Sequence, residues 1–135
     1  MARKQGRELR IGELYSVGHW LYGVGRLEEC ADVFELLTTY EPAQPRFWFA
    51  RGAVEQERRR LPEAIAAYSI AALLDEADPW PLLQMGECLL LHGDSDLAVE
   101  ALGRAVERAG TDHDHAAALE RARGFIRYAE VHHGR

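Results

Sequence analysis

The chain has 135 residues, 47% of them hydrophobic and 28% charged, with a formal net charge of -6. That length suffices for one domain with its own core, without metal or disulfide support, and the composition is that of a soluble globular protein. The acidic balance argues against a broad electrostatic hold on nucleic acid or anionic lipid, and no apolar run approaches a membrane span.

Residues 1–10 form a short basic arm, with Arg3, Lys4, Arg7 and Arg10, expected to extend the first helix or to fray. Its charges, like the later run Arg58, Arg59, Arg60, read as a solvated face rather than a phosphate site. From Ile11 to Gly23, Leu14, Val17 and Leu21 recur at helix spacing, with Trp20 one step aside. Gly25 interrupts the pattern, and Leu27 to Tyr40 resumes it with Cys30, Ala31, Phe34 and Leu37 on one face. Pro42 and Pro45 close this unit, because neither can continue a helix interior.

A second pair of helices follows from Pro45 to Asp78, around the turn RRRLP, where Pro62 suits a first helical turn. Pro79 and Pro81 open a third pair, whose first helix contains Met85, Gly86, Cys88 and Leu89. Gly93-Asp94 is its turn, Asp96 is the candidate cap of a helix through Ala109, and Gly110 is the expected left-handed residue that ends it. Thr111 or Asp112 then caps a last helix to about Val131, with Ala118, Ala122, Phe125 or Ile126, and Ala129 in one stripe. The two cysteines, Cys30 and Cys88, fit small buried hydrophobes in a reducing compartment. No basic start followed by an apolar run marks a secretory signal, so a cytosolic location is expected.

The three pairs share one register. The stretch RFWFARGAVEQERRRLPEAIAAY, Arg46 to Tyr68, carries Trp48, Gly52, Ala64 and Tyr68 at the W-x3-G and A-x3-F/Y spacing of a tetratricopeptide repeat, whose period is 34 residues. At that period Gly18, Gly52 and Gly86 superpose, as do Leu14, Trp48 and Leu82. So do Cys30, Ala64 and Ala98; Phe34, Tyr68 and Leu102; and Leu37, Ala71 and Ala105. The expected fold is therefore all-α: three tandem tetratricopeptide repeats, an α-solenoid of helix-turn-helix hairpins over residues 11–44, 45–78 and 79–112. A C-terminal capping helix and tail over 113–135 would cover the open end of the stacked core. The middle unit departs from the pattern, with Arg51 for the usual Leu, Glu55 for an aromatic and Arg59 for Gly. Arg51 is expected to snorkel or to pair with Glu55, four residues on.

In such a stack the first helices line the concave surface. Positions two, five, nine and twelve of each unit share one helical face. They are Gly12, Tyr15, His19 and Tyr22; Arg46, Phe49, Ala53 and Gln56; and Trp80, Leu83, Glu87 and Leu90. Half of them are large and aromatic or apolar, which marks an interaction surface. Core packing is the alternative reading of these residues. The clamp for a chaperone C-terminal carboxylate needs Lys, Asn, Lys and Arg where this chain has Tyr15, His19, Trp80 and Gln84, so that role is not expected.

The segments LYSVGHWLYGVGRLEECADVFELL, RFWFARGA, AIAAYSIAALLD and DPWPLLQMGECLLLHGD resemble the type III secretion chaperones for translocator proteins. These are the class II, LcrH/SycD-like chaperones of Gram-negative bacteria. The resemblance covers about Leu14 to Ala109, with the RF-aromatic-x-x-x-GA start of the middle unit as a specific part; Met85-Gly86 replaces the usual small pair before Glu87-Cys88. It implies an ATP-independent chaperone of the bacterial cytosol that holds a short, proline-flanked N-terminal segment of a hydrophobic translocator in its groove. Residue by residue, Tyr15 and Tyr22 match aromatic groove positions of the family, while His19 stands where another aromatic is expected. The resemblance also implies a homodimer through the N-terminal segment and, for some members, a transcription regulator as a further partner. Trp20 is the candidate dimer contact, with local packing as the alternative. A tetratricopeptide scaffold or regulator for another partner, such as a needle-subunit co-chaperone, is the alternative function.

Catalytic and metal chemistry find little footing. The Asp112, His113, Asp114, His115 run invites a metal reading, but residues two apart on a helix point to different faces. His132 and His133 read as a frayed terminus. GxxxxGK, GxSxG, HExxH and CxxC patterns do not occur, so neither a cofactor nor an enzymatic activity is expected.

Overall fold

Each hairpin forms where apolar spacing and helix breakers place it. The computed structural model describes residues 2–132. Among them α1 (Ala2–Gly23) pairs with α2 (Leu27–Tyr40), α3 (Pro45–Glu57) with α4 (Leu61–Leu74), and α5 (Trp80–His92) with α6 (Ser95–Ala109). A short 3-10 turn, His113–His115, leads into α7 (Ala116–His132), and the described residues contain no strand. Each helix packs on the next, and α7 also reaches back to α5. The basic arm continues α1 from Ala2, and Arg10 is exposed. The side chains of Arg3, Lys4 and Arg7 lie outside the described residues, as does His133.

Prolines open α3, α4 and α5 at the first or second helical position, where a missing N–H costs no helix bond. Two expected caps resolve differently. Asp94 rather than Asp96 caps α6, its carboxylate accepting from the Leu97 N–H at 3.4 Å. Asp96 falls instead in the first turn, where a negative charge suits the helix dipole. Asp112, not Thr111, accepts from the Asp114 N–H at 2.9 Å and starts the 3-10 turn. Gly110 ends α6 at positive φ (53°), but its ψ of -131° lies outside the left-handed helical region.

Helix pairing depends on contacts repeated once per unit. A Cβ on Gly18 would stand 2.8 Å from the Phe34 ring, one on Gly52 2.7 Å from the Tyr68 ring, and one on Gly86 2.5 Å from Leu102. Phe34, Tyr68 and Leu102 are themselves fully buried, so they have no room to give way. The hairpin turn repeats as well, with Gly25, Arg59 and Gly93 at φ of 78°, 63° and 92°. Arg59 thus occupies a conformation that a side chain disfavours and glycine does not.

The substituted middle unit solves its charges locally. Arg51 donates to the Thr38 hydroxyl at 2.9 Å and lies 5.4 Å over the Trp48 ring. It does not pair with Glu55, which is held by Arg58 at 2.9 Å and Arg60 at 3.4 Å. Those two guanidiniums let a carboxylate sit 93% buried where an aromatic was expected (7% exposed). At the array's end, Ala118 and Ala122 of α7 join Leu82, Leu83, Leu102 and Ala105 in one apolar cluster. The linkers between units are tied by different devices. Trp48 Nε1 donates to the Pro42 carbonyl at 2.8 Å. Arg108 of α6 donates to the carbonyls of Ala72, Asp75 and Asp78 at 2.9, 3.1 and 3.2 Å.

Both thiols are free and buried, and Cys30 Sγ donates to the Gly18 carbonyl at 3.3 Å. Burial pushes Cys30 up to about 11, and burial with help from nearby Glu87 pushes Cys88 up to about 12.

These contacts set measurable expectations. Arg59→Gly raises stability by about 1 kcal/mol in urea denaturation; an unchanged or lower midpoint contradicts the strain. Gly52→Ala lowers it by about 1–3 kcal/mol through overpacking against Tyr68. The folded state keeps thiol protons that the unfolded chain releases. Stability therefore holds below the ordinary thiol range and falls as pH climbs from there toward 11 and 12. At neutral pH a thiol reagent labels both cysteines only as fast as the protein opens, and rapid labelling of the native state refutes their burial.

Candidate peptide-binding groove

The α3 helix has two working faces. Arg46, Phe49, Ala53 and Gln56 follow one stripe, and Trp48, Arg51, Glu55 and Arg58, two residues out of step, follow the opposite one. A cleft opens against each. The larger, about 1320 Å³, lies between the Trp48 stripe, α2 and α4. Its walls carry charges already paired with one another: Arg26 with Glu29 at 2.7 Å, Arg58 with Glu55 at 2.9 Å, Arg60 with Glu63 at 3.5 Å. Charges already neutralised within the wall leave little for a ligand, and the exposed pairs Arg26–Glu29 and Arg60–Glu63 are weak, so size alone does not make this the functional site.

The second cleft, about 660 Å³, is framed by α1, α3 and α5. Tyr15, His19 and Tyr22 of α1, Arg46, Phe49 and Ala53 of α3, and Trp80 of α5 line it together. Its walls interlock through ring contacts. Tyr15 meets His19 edge-on at 4.5 Å and Phe47 at 5.3 Å, with Phe34 behind it at 6.0 Å. His19 also packs edge-on to Phe34 at 6.2 Å, so it takes the aromatic role at this position with a polar rim. Phe49 packs on Tyr68 at 5.4 Å. The Arg46 guanidinium lies 4.8 Å over the Tyr15 ring and 5.1 Å over Phe47, a cation–π arrangement that roofs one end. Burial, then Glu57, raises the Tyr22 hydroxyl above its ordinary value.

Five expected residues lie elsewhere. Leu83 is fully buried in the cluster with Leu82 and Leu102; Gln84, one step along α5, enters the cleft in its place. Gln56 accepts a 2.9 Å hydrogen bond from the Tyr68 hydroxyl. Glu87 and Leu90 line a separate cleft of about 530 Å³ against α7, with Glu87 paired to Arg121 at 3.6 Å. Gly12 is exposed.

Sequence reasoning missed Ala50 and Gln84, each a step beside the chosen stripe, and Asp75 and Asp78 of the linker after α4. The linker could have been found from topology, because it runs directly into the N-terminus of α5, where Trp80 sits. Asp78 accepts from the Trp80 N–H at 2.9 Å, which fixes the indole's approach to the cleft. Gln84 Oε1 has no hydrogen-bond partner among the described residues.

The other candidate chemistry stays apart from this site. Among the described residues no group of His, Cys, Asp and Glu is arranged to hold a metal ion. Asp112 lies 3.9 Å from His115 Nδ1, and both belong to the α7 entry turn. No described helix is long and apolar enough to cross a membrane.

No protein-family model matches the chain. It is 32% identical over 97 residues to the low calcium response locus protein H of Yersinia pestis, covering 72% of this chain. The chain spans 58% of that relative's length. In fold it is similar to PcrH of Pseudomonas aeruginosa, solved in complex with the chaperone binding region of PopD. The TM-score is 0.87 at 26% identity, over 92% of this chain and 93% of PcrH. It is also similar to SycD of Yersinia enterocolitica, solved with a peptide of the translocator YopD, with a TM-score of 0.86 at 25% identity over 90% and 93% of the two chains. In sequence and in fold the chain is thus similar to the class II type III secretion chaperones, the LcrH/SycD-like tetratricopeptide proteins.

Proposed function

We propose that the protein is an ATP-independent chaperone of the bacterial cytosol, without catalytic activity, for hydrophobic translocators of a type III secretion system. The client is held by a short extended segment near its N-terminus. Tyr15, His19, Tyr22, Arg46, Phe49, Ala53 and Trp80 form the seat, with Ala50 and Gln84 completing its walls. The repeat units at 11–44, 45–78 and 79–112 each contribute a first helix to this surface.

The observation that carries the reading is the lining of the α1–α3–α5 cleft. Its aromatic side chains converge from separate repeats around an open space, and Tyr22 keeps 38% of its surface exposed. Apolar surface of that kind, rimmed by polar groups, fits a partner rather than solvent. The unpartnered Gln84 Oε1 suits an N–H of an extended peptide backbone. PcrH and SycD, solved with PopD and YopD segments, supply the precedent for such an occupant.

Binding through one segment leaves most of the client free, so affinity must come from a few aromatic anchors. Tyr22→Ala and Phe49→Ala each weaken binding by about 1–3 kcal/mol, as central anchors do, without loss of helical circular dichroism. The measurement is a titration with overlapping N-terminal peptides of a type III secretion translocator from the same genome. Unchanged affinity in both variants rejects the seat. Co-expression with that translocator should yield a co-purifying complex.

A further inference from the structure

The three residues at which the middle unit departs from the repeat pattern converge on one place, the cleft between α2, the Trp48 face of α3, and α4. Arg51 and Glu55 line it, and Arg59 forms the turn between Arg58 and Arg60, which line it as well. The equivalent positions in the outer units are Val17 and Met85, Leu21 and Leu89, and Gly25 and Gly93. The hairpin therefore requires none of these charges. A buried ion pair such as that of Glu55 is also a poor source of stability beside an apolar side chain of similar volume. Local departures of this kind collect where a chain does something other than fold.

The charges of this cleft do not balance. Arg26, Arg58 and Arg60 are taken up by Glu29, Glu55 and Glu63, and Arg51 by the Thr38 hydroxyl and the Trp48 ring. Glu28, Asp32 and Glu35 remain. They line the α2 wall, are exposed, and carry no ion pair among the described residues. Their steps of four and three keep them on one face of the helix. At the floor, Glu55 Oε2 is buried and accepts no hydrogen bond, with Arg60 Nε standing 3.4 Å away in an ion pair. The cleft thus holds carboxylate oxygens for which the chain supplies no donor.

Shape narrows the occupant. The facing wall of α4 is small and apolar, with Ala66, Ala67 and Ile70. The two walls, α2 and α4, are each 14 residues long, which gives them a run of about 21 Å. At about 1320 Å³ the space exceeds what a small ligand fills. Among the described residues no group of side chains is arranged to hold a metal ion. A helix laid in this trough offers cations at steps of four and three to one wall and small side chains to the other.

We infer that this cleft is a second docking site, for a helix of another protein that carries Lys or Arg at steps of four and three beside a stripe of small residues. It goes beyond the client reading, because the client cleft lies against the Phe49 face of α3 and one occupant does not displace the other. Charge complementarity favours such a helix over a second copy of the chain, whose net charge is -6.

Two stapled, Ala-rich helical peptides test this against the full chain. Both carry three Arg, at steps of four and three in one and at steps of two in the other, so only the first presents them on one face. Isothermal titration is expected to show the first peptide binding about tenfold more tightly than the second. Asp32→Asn combined with Glu35→Gln removes that advantage. Ala66→Arg, at an exposed helix position, weakens the first peptide about tenfold by placing bulk and like charge on the apolar wall. Phe49→Ala leaves its affinity unchanged. Equal affinity for the two peptides, absence of binding, or a double variant that binds as the parent does overturns the inference. Loss of binding in Phe49→Ala assigns the peptide to the client cleft and overturns it too. Self-association that the double variant abolishes, without peptide binding, gives the face to a second copy and likewise overturns it.

Discussion

A glycine backbone pressed against a buried side chain, a ring in two units and Leu102 in the third, fixes the geometry of each repeat hairpin. At Gly18, Gly52 and Gly86 there is no room for a methyl group, and the residue opposite is fully buried. Close approach there sets how each first helix lies on its second. The three first helices then stand in register, and their outer stripes form a common surface. The middle contact shows how tightly fold and site are joined. The Tyr68 ring abuts Gly52, its other neighbour is Phe49 of the cleft, and its hydroxyl reaches Gln56. One side chain supports the hairpin, the aromatic wall and the polar bridge.

The division between core and groove follows from how each helix is rolled about its axis. On α1 and α3 the stripe at positions five and nine faces the cleft. On α5 Leu83 turns inward to meet the cluster shared with α7, and Gln84 takes its place. The terminal helix thus shapes the binding face as well as covering the end of the core. That places an amide beside Trp80 and leaves Glu87 and Leu90 to a cleft with Arg121 and Phe125.

The helix pairs and their order were legible because a 34-residue period repeats both the tight glycine and the turn. Even the substitution at Arg59 was readable, since Gly25 and Gly93 occupy the same turn at positive φ. Helix starts followed from Pro45, Pro62 and Pro81. What escaped was the part that a period does not encode. The partner of Arg51 is Thr38, across a helix interface rather than along its own helix. The roll of α5 depends on α7, which lies outside the repeat register. Asp75 and Asp78 border the cleft because of where the linker runs, and neither belongs to a helical stripe. Asp94 displaced Asp96 as a cap because the helix begins two residues earlier than the spacing suggested.

Arg108 gives this architecture a property that stacked repeats ordinarily lack. Such arrays are coupled mainly through neighbouring faces, and their ends can open unit by unit. Here one guanidinium from the last helix of the third unit holds three carbonyls at the end of the second. Two of those carbonyls belong to Asp75 and Asp78, whose side chains border the aromatic cleft. Opening α6 removes this shared donor from all three carbonyls and loosens the linker before Trp80. The C-terminal half of the solenoid therefore opens as one cooperative block, and the order of the binding face is thermodynamically linked to a helix that contributes no side chain to it.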